Sequence, residues 1–361
     1  MPIRILHIVT YMGRGGLETL LMNCLRHIDR ELIQFDFLVH REFRGDYDDE
    51  IEALGGKIYR LPRLNPANPG YFRALEAFFR SHPEYRIVHC HLDCMSALPL
   101  SVAKKCGVPV RIAHSHNANQ DTNWKYFLKR FYMKKIPAAA THFFACSQEA
   151  GDWMFPGQSV TVVKNGIETG GYCFSSDARN AVRTELGIQN RLVIGHTGRY
   201  MPQKNHAFLL DVFAQIREKN PNALLLLIGE GPLEHEIRKK ATALDLIDSI
   251  RFLGIRKDVD RMLQAMDVFV MPSLYEGLSL ASVEAQASGL PCYFSDTVPR
   301  ECKLTDTVTF LPLSASPAQW AEEILKAYIS SRKSGHEAVR EAGFDIQNTA
   351  DFLQDFYMKH W

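Results

Sequence analysis

Short apolar runs alternate with helix-like segments along almost the whole chain, and this alternation constrains the fold most. Runs such as "IRILHIV", "FDFLVH" and "RIVHCH" are apolar on both faces, and segments such as "LETLLMNCLRHI" and "YFRALEAFFRSH" separate them. Strands that are buried on both faces and joined by helices form parallel sheets covered by helices on either side. The sequence therefore predicts α/β architecture with doubly wound parallel sheets.

The alternation stops once and then starts again, which predicts two domains. The interruption is "KNGIETGGYCFSSDARN", a stretch rich in Gly, Ser and Asn. The chain has 361 residues, more than one hydrophobic core usually holds. We predict a Rossmann-like N-terminal domain over residues 1–168 and a second Rossmann-like domain over residues 169–340. A closing helix over residues 341–361 is expected to pack back toward the first domain.

The charge and the composition of the chain limit which partners and which cellular location we expect. The formal net charge is +1, so no global field attracts nucleic acid. Eight scattered cysteines lie mostly in apolar runs, which is typical of reduced thiols in the cytoplasm and not of a disulfide framework. The N-terminus lacks the pattern of a signal peptide, and no apolar run approaches about 18 residues. We therefore expect a cytoplasmic protein without a transmembrane helix.

Two glutamates flank the start of a predicted helix in "MPSLYEGLSLASVEAQASGLP". The helix is expected to begin near Ser279 and to end at Gly289, with a proline just beyond. Glu276 then lies in the loop at the carboxyl end of a strand, where ligands of such sheets bind. Glu284 lies about one turn into the helix. Either glutamate alone is equally well explained as part of an ordinary helix start.

The backbone between these glutamates suits an anion. The N–H groups of Gly277, Leu278, Ser279 and Leu280 lie at the predicted helix N-terminus, where they have no partner within the helix. Carboxylates accept hydrogen bonds from hydroxyl groups. A ligand with hydroxyls at both ends and an anionic centre fits this spacing, in the order sugar, diphosphate, ribose.

A second loop adds two cations. The segment "IGHTGRYMPQKNH" places Gly198 and Arg199 after a strand, and Lys204 and Asn205 at the next helix start. Arginine offers a planar fork to phosphate oxygens and lysine a compact charge. A single surface cation is usually just solvated, but both cations belong to the same sheet edge as the glutamates. We predict that they bind phosphate together.

These segments carry a resemblance to a known family. "GRYMPQKN", "LIGEGPL", "LGIRKDV" and "MPSLYEGLSLASVEAQASGLP" resemble the C-terminal domain of family 4 (GT4) glycosyltransferases of the GT-B fold. In that fold two Rossmann-like domains face a cleft. The resemblance covers essentially the whole chain. "RIAHSHN", "FFACSQEAG" and "SDTVPRE" further resemble bacterial glycosyltransferases of exopolysaccharide and capsular polysaccharide synthesis.

The resemblance implies retaining, metal-independent transfer of a hexose from a nucleotide diphosphate sugar, UDP-linked, to a glycan or a lipid-linked oligosaccharide. The nucleotide sugar is a co-substrate, so no cofactor is expected. The implied donor contacts are Arg199 and Lys204 for the diphosphate, Glu284 for the ribose, Glu276 for sugar hydroxyls, and the backbone of Ile255 and Arg256 for the base. Two alternatives are a sugar-nucleotide epimerase of the same fold and a non-enzymatic nucleotide-sugar binding protein.

The first domain offers a glycine-rich turn and a histidine pair. "YMGRGGLET" does not match the dinucleotide spacing G-x-G-x-x-G. The resemblance implies that Gly15 and Gly16 approach the donor phosphates and the acceptor, although a plain turn also fits. It also implies a histidine beside the donor sugar, and either His114 or His116 of "AHSHN" fits that role.

Two further motifs suggest metals. "HCHLDC" contains His89, Cys90 and His91, but adjacent strand residues point to opposite faces of a sheet, so these side chains should not converge. Zinc sites also favour wider, paired spacings. "DYDD" at residues 46–49 is expected to be a solvated helix start. We therefore predict no metal site.

One segment, "NWKYFLKRFYMKK", combines basic and aromatic residues and contains no acid. A helix of this kind suits an anionic membrane surface, which would place the protein peripherally at the inner membrane face. The alternative is a helix whose aromatic residues enter the core. The residues concerned are Trp124, Lys125, Phe127, Lys129, Arg130, Phe131, Tyr132, Lys134 and Lys135.

Overall fold

The computed structural model describes residues 2–117, 126–327 and 332–361, without the side chains of Tyr126 and Ala327. The chain forms two compact units. Unit 1 comprises Met1–Gly166 and Ile346–Trp361, and unit 2 comprises Ile167–Asp345. Each unit contains its own parallel sheet.

The described residues of unit 1 form a sheet of seven strands. These are β1 (Ile3–Ile8), β2 (Ile33–Val39), β3 (Ile58–Arg60), β4 (Ile87–Cys90), β5 (Val110–Ser115), β6 (His142–Ala145) and β7 (Thr161–Val162). Their order is β3-β2-β1-β4-β5-β6-β7, and all neighbours are parallel. The strand order reverses between β1 and β4, which is the topological switch point of unit 1.

Helices connect these strands: α1 (Gly16–His27), α2 (Asp48–Ala53), α3 (Pro69–Ser81), α4 (Ala97–Lys105), α5 (Tyr126–Met133), α6 (Ile136–Ala139) and α7 (Gln148–Met154). Local chemistry sets where several of them begin. Asn68 accepts a hydrogen bond from the Gly70 N–H at the start of α3, and Ser147 does the same for the Ala150 N–H in α7.

The "DYDD" segment lies at the start of α2, and the prediction that it is solvated is wrong for two residues, Tyr47 and Asp48, which are both buried. Asp48 is buried and forms an ion pair with Arg60. Asp49 is exposed and pairs with Arg44. A buried carboxylate needs a cationic partner, which the sequence did not reveal because that partner is on β3.

Unit 2 repeats the architecture with six strands in its described residues. They are β8 (Leu192–Thr197), β9 (Ala223–Ile228), β10 (Ile250–Phe252), β11 (Val268–Met271), β12 (Cys292–Ser295) and β13 (Val308–Leu311). Their order is β10-β9-β8-β11-β12-β13, again parallel throughout. The switch point lies between β8 and β11. The prediction of doubly wound parallel sheets is confirmed.

The helices of unit 2 are α8 (Ser176–Glu185), α9 (His206–Lys219), α10 (Glu234–Ala243), α11 (Val259–Ala265), α12 (Leu280–Ala287), α13 (Pro317–Ala327) and α14 (His336–Val339). The last helix, α15 (Ile346–His360), belongs to unit 1 and packs on α1 and β2. Its Tyr357 is fully buried there. All eight cysteines are free. Among the described helices, none has the length and apolar character needed to cross a bilayer.

Candidate active site

The switch point of unit 2 brings two of the predicted loops together. β8 pairs in parallel with β11, so the carboxyl ends of both strands lie at one edge of the sheet. Residues 198–205 follow β8, and residues 272–279 follow β11. Ligands of doubly wound sheets bind at this position, because the loops on either side diverge there and leave a crevice.

The loop after β8 presents one exposed cation. Arg199 is exposed, and no described residue forms a hydrogen bond or an ion pair with its side chain. Lys204 ends a short 3-10 turn, Pro202–Lys204, and Asn205 then adopts a left-handed conformation (φ +54°) as α9 begins. The predicted helix start at Lys204 and Asn205 is therefore in place.

Two glycines after β9 hold this loop in position. A Cβ atom on Gly229 would lie 2.2 Å from the carbonyl oxygen of Gly198, and one on Gly231 would lie 2.6 Å from that of Tyr200. Gly229 also has a positive φ of +135°. The motif "GEG" is thus more than a tight turn, because its backbone packs directly on the loop that carries Arg199.

Lys204 and Glu276 join the two loops. The Lys204 Nζ lies 2.6 Å from Glu276 Oε1, and both side chains are largely buried. Gln203 Nε2 donates to the Tyr275 carbonyl at 3.0 Å and to Glu276 Oε2 at 3.3 Å. The Leu274 N–H also donates to the Gln203 carbonyl at 2.8 Å. Sequence analysis missed Gln203, which lacks a charge and so gave no signal.

The helix that contains the second glutamate, Glu284, begins and ends as predicted. α12 starts at Leu280, with Ser279 at the N-cap position and with Gly277 and Leu278 before it. The Ser279 side chain makes no capping hydrogen bond. Gly289 follows the helix in the left-handed conformation (φ +71°), where glycine carries no steric penalty.

Glu284 lies inside α12 in a different environment. Its side chain is buried, and Tyr172 donates a hydrogen bond to Glu284 Oε1 at 2.9 Å. Burial raises the pKa of Glu284 to about 7, and the negative charge of Asp260 adds to this shift, while the Tyr172 hydrogen bond opposes it. Tyr172 belongs to the segment that sequence analysis treated as a linker, so its role was not predicted.

The residues predicted to contact the nucleotide base, Ile255 and Arg256, follow β10. Ile255 is exposed to 45%, an unusual position for a large apolar side chain. Arg256 is held by Asp258 through two hydrogen bonds, at 2.8 Å and 2.7 Å. Its guanidinium is therefore held by an aspartate two residues further along the chain.

In unit 1 the glycine turn lies after β1, at the switch point. Gly15 is the N-cap residue of α1, and Gly16 is its first residue. A Cβ atom on Gly16 would meet no heavy atom within 4 Å, so the space beside this glycine is open. Crowding within the described chain therefore does not explain why Gly16 lacks a side chain.

His114 and His116 project from the same face at the end of β5. Their rings are stacked, with centroids 4.1 Å apart. His114 is buried, whereas His116 is partly exposed. Burial lowers the pKa of His116 to about 3 and that of His114 well below its usual value, so both rings are neutral. Of the two candidates, only His116 is accessible to a ligand.

Part of the basic aromatic segment forms the helix α5. Phe127 is exposed to 80% and Phe131 to 53%, while Lys135 lies over the Phe131 ring at 4.1 Å. These two aromatic side chains do not enter the core. Trp124 and Lys125 lie outside the described residues.

Comparison with known proteins identifies the family. A model described as "Glycosyltransferase Family 4" matches residues 14–170, and one described as "Glycosyl transferases group 1" matches residues 178–342. The chain is 37% identical to a Bacillus subtilis (strain 168) glycosyltransferase named EpsF, over 98% of this chain and 96% of that protein. The chain belongs to glycosyltransferase family 4. The resemblance to this family that the sequence shows is therefore confirmed.

Two other similarities accompany this result. An Escherichia coli UDP-Gal:alpha-D-GlcNAc-diphosphoundecaprenol alpha-1,3-galactosyltransferase is 26% identical, over 76% of each chain. The crystal structure of Anabaena Alr3699/HepE in complex with UDP-glucose has a TM-score of 0.81 at 18% identity and covers 99% of both chains. The latter supports the GT-B fold.

Proposed function

We propose that this glycosyltransferase is a retaining enzyme that moves a hexose from a UDP-sugar to a glycan or a lipid-linked oligosaccharide in exopolysaccharide or capsule synthesis. The observation that carries the proposal is the ion pair of Lys204 and Glu276 at the unit 2 switch point, on the same loop as the exposed Arg199. This arrangement offers cations to a diphosphate and a carboxylate to sugar hydroxyls within one crevice.

The cations explain how the reaction would proceed without a metal. Charge develops on the leaving diphosphate as the glycosidic bond breaks, and donors already in position stabilise it. Arg199 would have no described partner to give up before it binds phosphate. Lys204 has one strong partner, Glu276, and retains further N–H groups for a phosphate oxygen. The uncapped start of α12 adds backbone donors.

The two carboxylates would hold the two ends of the donor. In this proposal Glu276 accepts hydrogen bonds from the sugar, since its position beside Lys204 keeps it next to the diphosphate. Glu284 accepts the ribose hydroxyls from within α12, where Tyr172 already occupies one of its oxygens. The backbone of Ile255 and Arg256 would contact the base.

Unit 1 would contribute Gly15, Gly16 and a histidine. The open space beside Gly16 suits the approach of a phosphate or an acceptor. We assign the donor-side histidine to His116, because His114 is buried. A neutral imidazole can accept a hydrogen bond from a sugar hydroxyl without adding charge.

The relatives support the donor and the acceptor classes. The printed name of the Escherichia coli relative gives UDP-Gal as donor and a diphosphoundecaprenol-linked sugar as acceptor. The HepE structure contains UDP-glucose. A lipid-linked acceptor would be met at the cytoplasmic face of the membrane, and the exposed aromatic residues of α5 suit peripheral contact there.

The proposal is tested by incubating the protein with a panel of UDP-sugars and undecaprenyl-diphosphate-linked saccharides. We expect UDP release that depends on the acceptor, together with a product heavier by one hexose in mass spectrometry. NMR of the new linkage should show the anomeric configuration of the donor. Conversion of the UDP-sugar to its epimer, or binding without turnover of any donor and acceptor pair, would refute the proposal.

A further inference from the structure

Five histidines of unit 1 share one face of the sheet. His7 on β1 is in register with His89 on β4, so their side chains point the same way. The remaining three follow on β4 and β5 or just beyond them at two-residue intervals, which keeps them on that face. Cys90 points to the opposite face, into an apolar cluster, as the sequence predicted. The five are His7, His89, His91, His114 and His116.

The three histidines nearest the carboxyl ends of the strands lie closest to the surface. His91 Nδ1 and His116 Nε2 are 2.9 Å apart, and the His114 ring stacks on that of His116. One ring nitrogen from each of the three lies within 4.8 Å of those of the other two. His116 is partly exposed, so a small ion has a route to the group.

A neutral imidazole ring carries one lone pair, on the ring nitrogen that has no proton. His114 Nε2 is buried, and no described residue bonds to it. Neutral imidazole nitrogen is a preferred ligand of Zn²⁺ and of neighbouring first-row ions.

A carboxylate lies next to this group. Asp93 is partly buried and accepts the backbone N–H of His116. Asp93 Oδ1 has no hydrogen-bond partner among the described residues. The residue also has a positive φ of +46°, in the left-handed region that non-glycine residues rarely adopt. Its negative charge would partly offset that of a divalent cation.

We propose that His91, His114 and His116 form a binding site for a first-row transition-metal ion such as Zn²⁺, with the charge of Asp93 beside it. The inference goes beyond the proposed transfer, which needs no metal and uses the His116 ring in its metal-free form, and it departs from the metal-free expectation drawn from the sequence. That expectation weighed His and Cys neighbours on one strand, whereas the ligands come from two.

For one pair of ligands, His91 and His116, the geometry needs only a small adjustment. Zn–N bonds of 2.0–2.1 Å in a tetrahedral site place the ligand nitrogens about 3.3 Å apart. The His91 and His116 nitrogens, now 2.9 Å apart through a shared proton, would separate by about 0.4 Å as the ion replaces that proton. A purely structural histidine network explains this hydrogen bond, but it leaves His114 Nε2 and Asp93 Oδ1 without partners.

Calorimetric titration of tag-free, EDTA-stripped full-length protein with ZnCl₂ tests the site. We expect one ion per chain. His116→Gln should weaken binding by about a hundredfold or more, because even loss of a residue that only orients a ligand costs about 10- to 100-fold. His235→Gln and Cys173→Ser, which alter an exposed histidine and an exposed thiol, should leave binding unchanged.

The absorption of bound Co²⁺ measures metal binding to the unmodified chain. This measurement therefore does not depend on whether a variant folds. Bound Co²⁺ should show intense visible bands of four-coordinate geometry without thiolate charge transfer. Asp93→Asn should weaken binding while the fold, followed by circular dichroism, is kept. Equal binding by wild type and His116→Gln, or loss of binding in either control variant, would overturn the assignment.

Discussion

At the residue scale, the two glutamates of the proposed donor site differ in what surrounds them. Glu276 is paired with a lysine, which holds a charged carboxylate in a buried position. Glu284 contacts a phenol instead, and burial raises its pKa to about 7. The same kind of side chain therefore meets a cation in one place and a hydroxyl donor in the other.

The first prediction separates the roles of these carboxylates. Glu284→Gln should weaken binding of free UDP, whereas Glu276→Gln should spare UDP and weaken only the UDP-sugar. Hydrogen bonds to a charged group contribute about 1.5–3 kcal/mol, or about ten- to a hundredfold in affinity. Calorimetry of both variants with UDP and then with the donor provides the comparison. Equal losses of UDP affinity in both would place both carboxylates at the nucleotide end.

The second prediction follows from the raised pKa of Glu284. Ribose hydroxyls donate to the ionised carboxylate, so binding favours the deprotonated form, and a protonated Glu284 must first lose its proton. UDP affinity should therefore fall as the pH drops below about 7, by up to about tenfold per pH unit. Titration of UDP between pH 5.5 and pH 8.5, at roughly constant ionic strength, measures the effect.

Glu284→Gln is the control for this pH dependence, because UDP has an ionisation of its own that affects both proteins equally. The ratio of wild-type to variant affinity should fall with decreasing pH. A ratio that stays constant across the range would show that Glu284 does not titrate in contact with the nucleotide.

Sequence reasoning located both glutamates but not their partners. Helix-start and helix-stop signals are local, so the positions of Glu276 and Glu284 relative to α12 followed from the chain itself. Tyr172 lies 112 residues before Glu284 and belongs to a segment without periodic pattern. Only the tertiary fold brings it to α12, and no local rule predicts such a contact.

At the element scale, the loops after β8 and β9 depend on each other. A methyl group on Gly231 would collide with the backbone of Tyr200, because backbone atoms lie at 2.6 to 2.9 Å from the Cβ position. Gly231→Ala should lower the free energy of unfolding by about 1–3 kcal/mol. It should also weaken UDP binding by displacing the loop that carries Arg199.

Denaturant unfolding measures the cost of Gly231→Ala. Gly170→Ala is the matched control, since a Cβ atom there meets nothing within 4 Å. If both alanine variants unfold alike and bind UDP alike, the two loops are not packed as described.

The fourth prediction concerns α5. Replacing Phe127 and Phe131 by Ser should lower binding to vesicles that contain phosphatidylglycerol by about tenfold or more, since burial of one such side chain contributes about 1.5–3 kcal/mol. Phe43→Ser alters another exposed phenylalanine of unit 1 and should have little effect. Co-sedimentation at low and high salt measures this. Unchanged binding in the double variant would exclude α5 as the contact.

At the scale of the whole molecule, the two sheets were predictable because their strands are apolar on both faces and alternate with amphipathic helices. The histidine group of unit 1 was not. His7, His89 and His114 lie far apart along the chain, and their shared face depends on strand order and register. Those are properties of the sheet, which periodicity in a single segment does not contain.

We propose that protein cations at the unit 2 switch point, without a metal, stabilise the leaving diphosphate. Arg199→Ala tests it most cleanly, because Arg199 is exposed and has no described partner whose loss would disturb the fold. Lys204→Ala removes the other cation but leaves Glu276 buried without its charge partner, so its fold must be checked. Lys239→Ala, at an exposed position on α10, is the control.

The deciding measurement is the rate of sugar transfer in EDTA. We expect full activity for the wild type and for Lys239→Ala, and a loss of about 10²- to 10³-fold for Arg199→Ala and for folded Lys204→Ala. Loss of wild-type activity in EDTA that a divalent ion restores would refute this role of the cations. So would near-normal transfer by both cation variants.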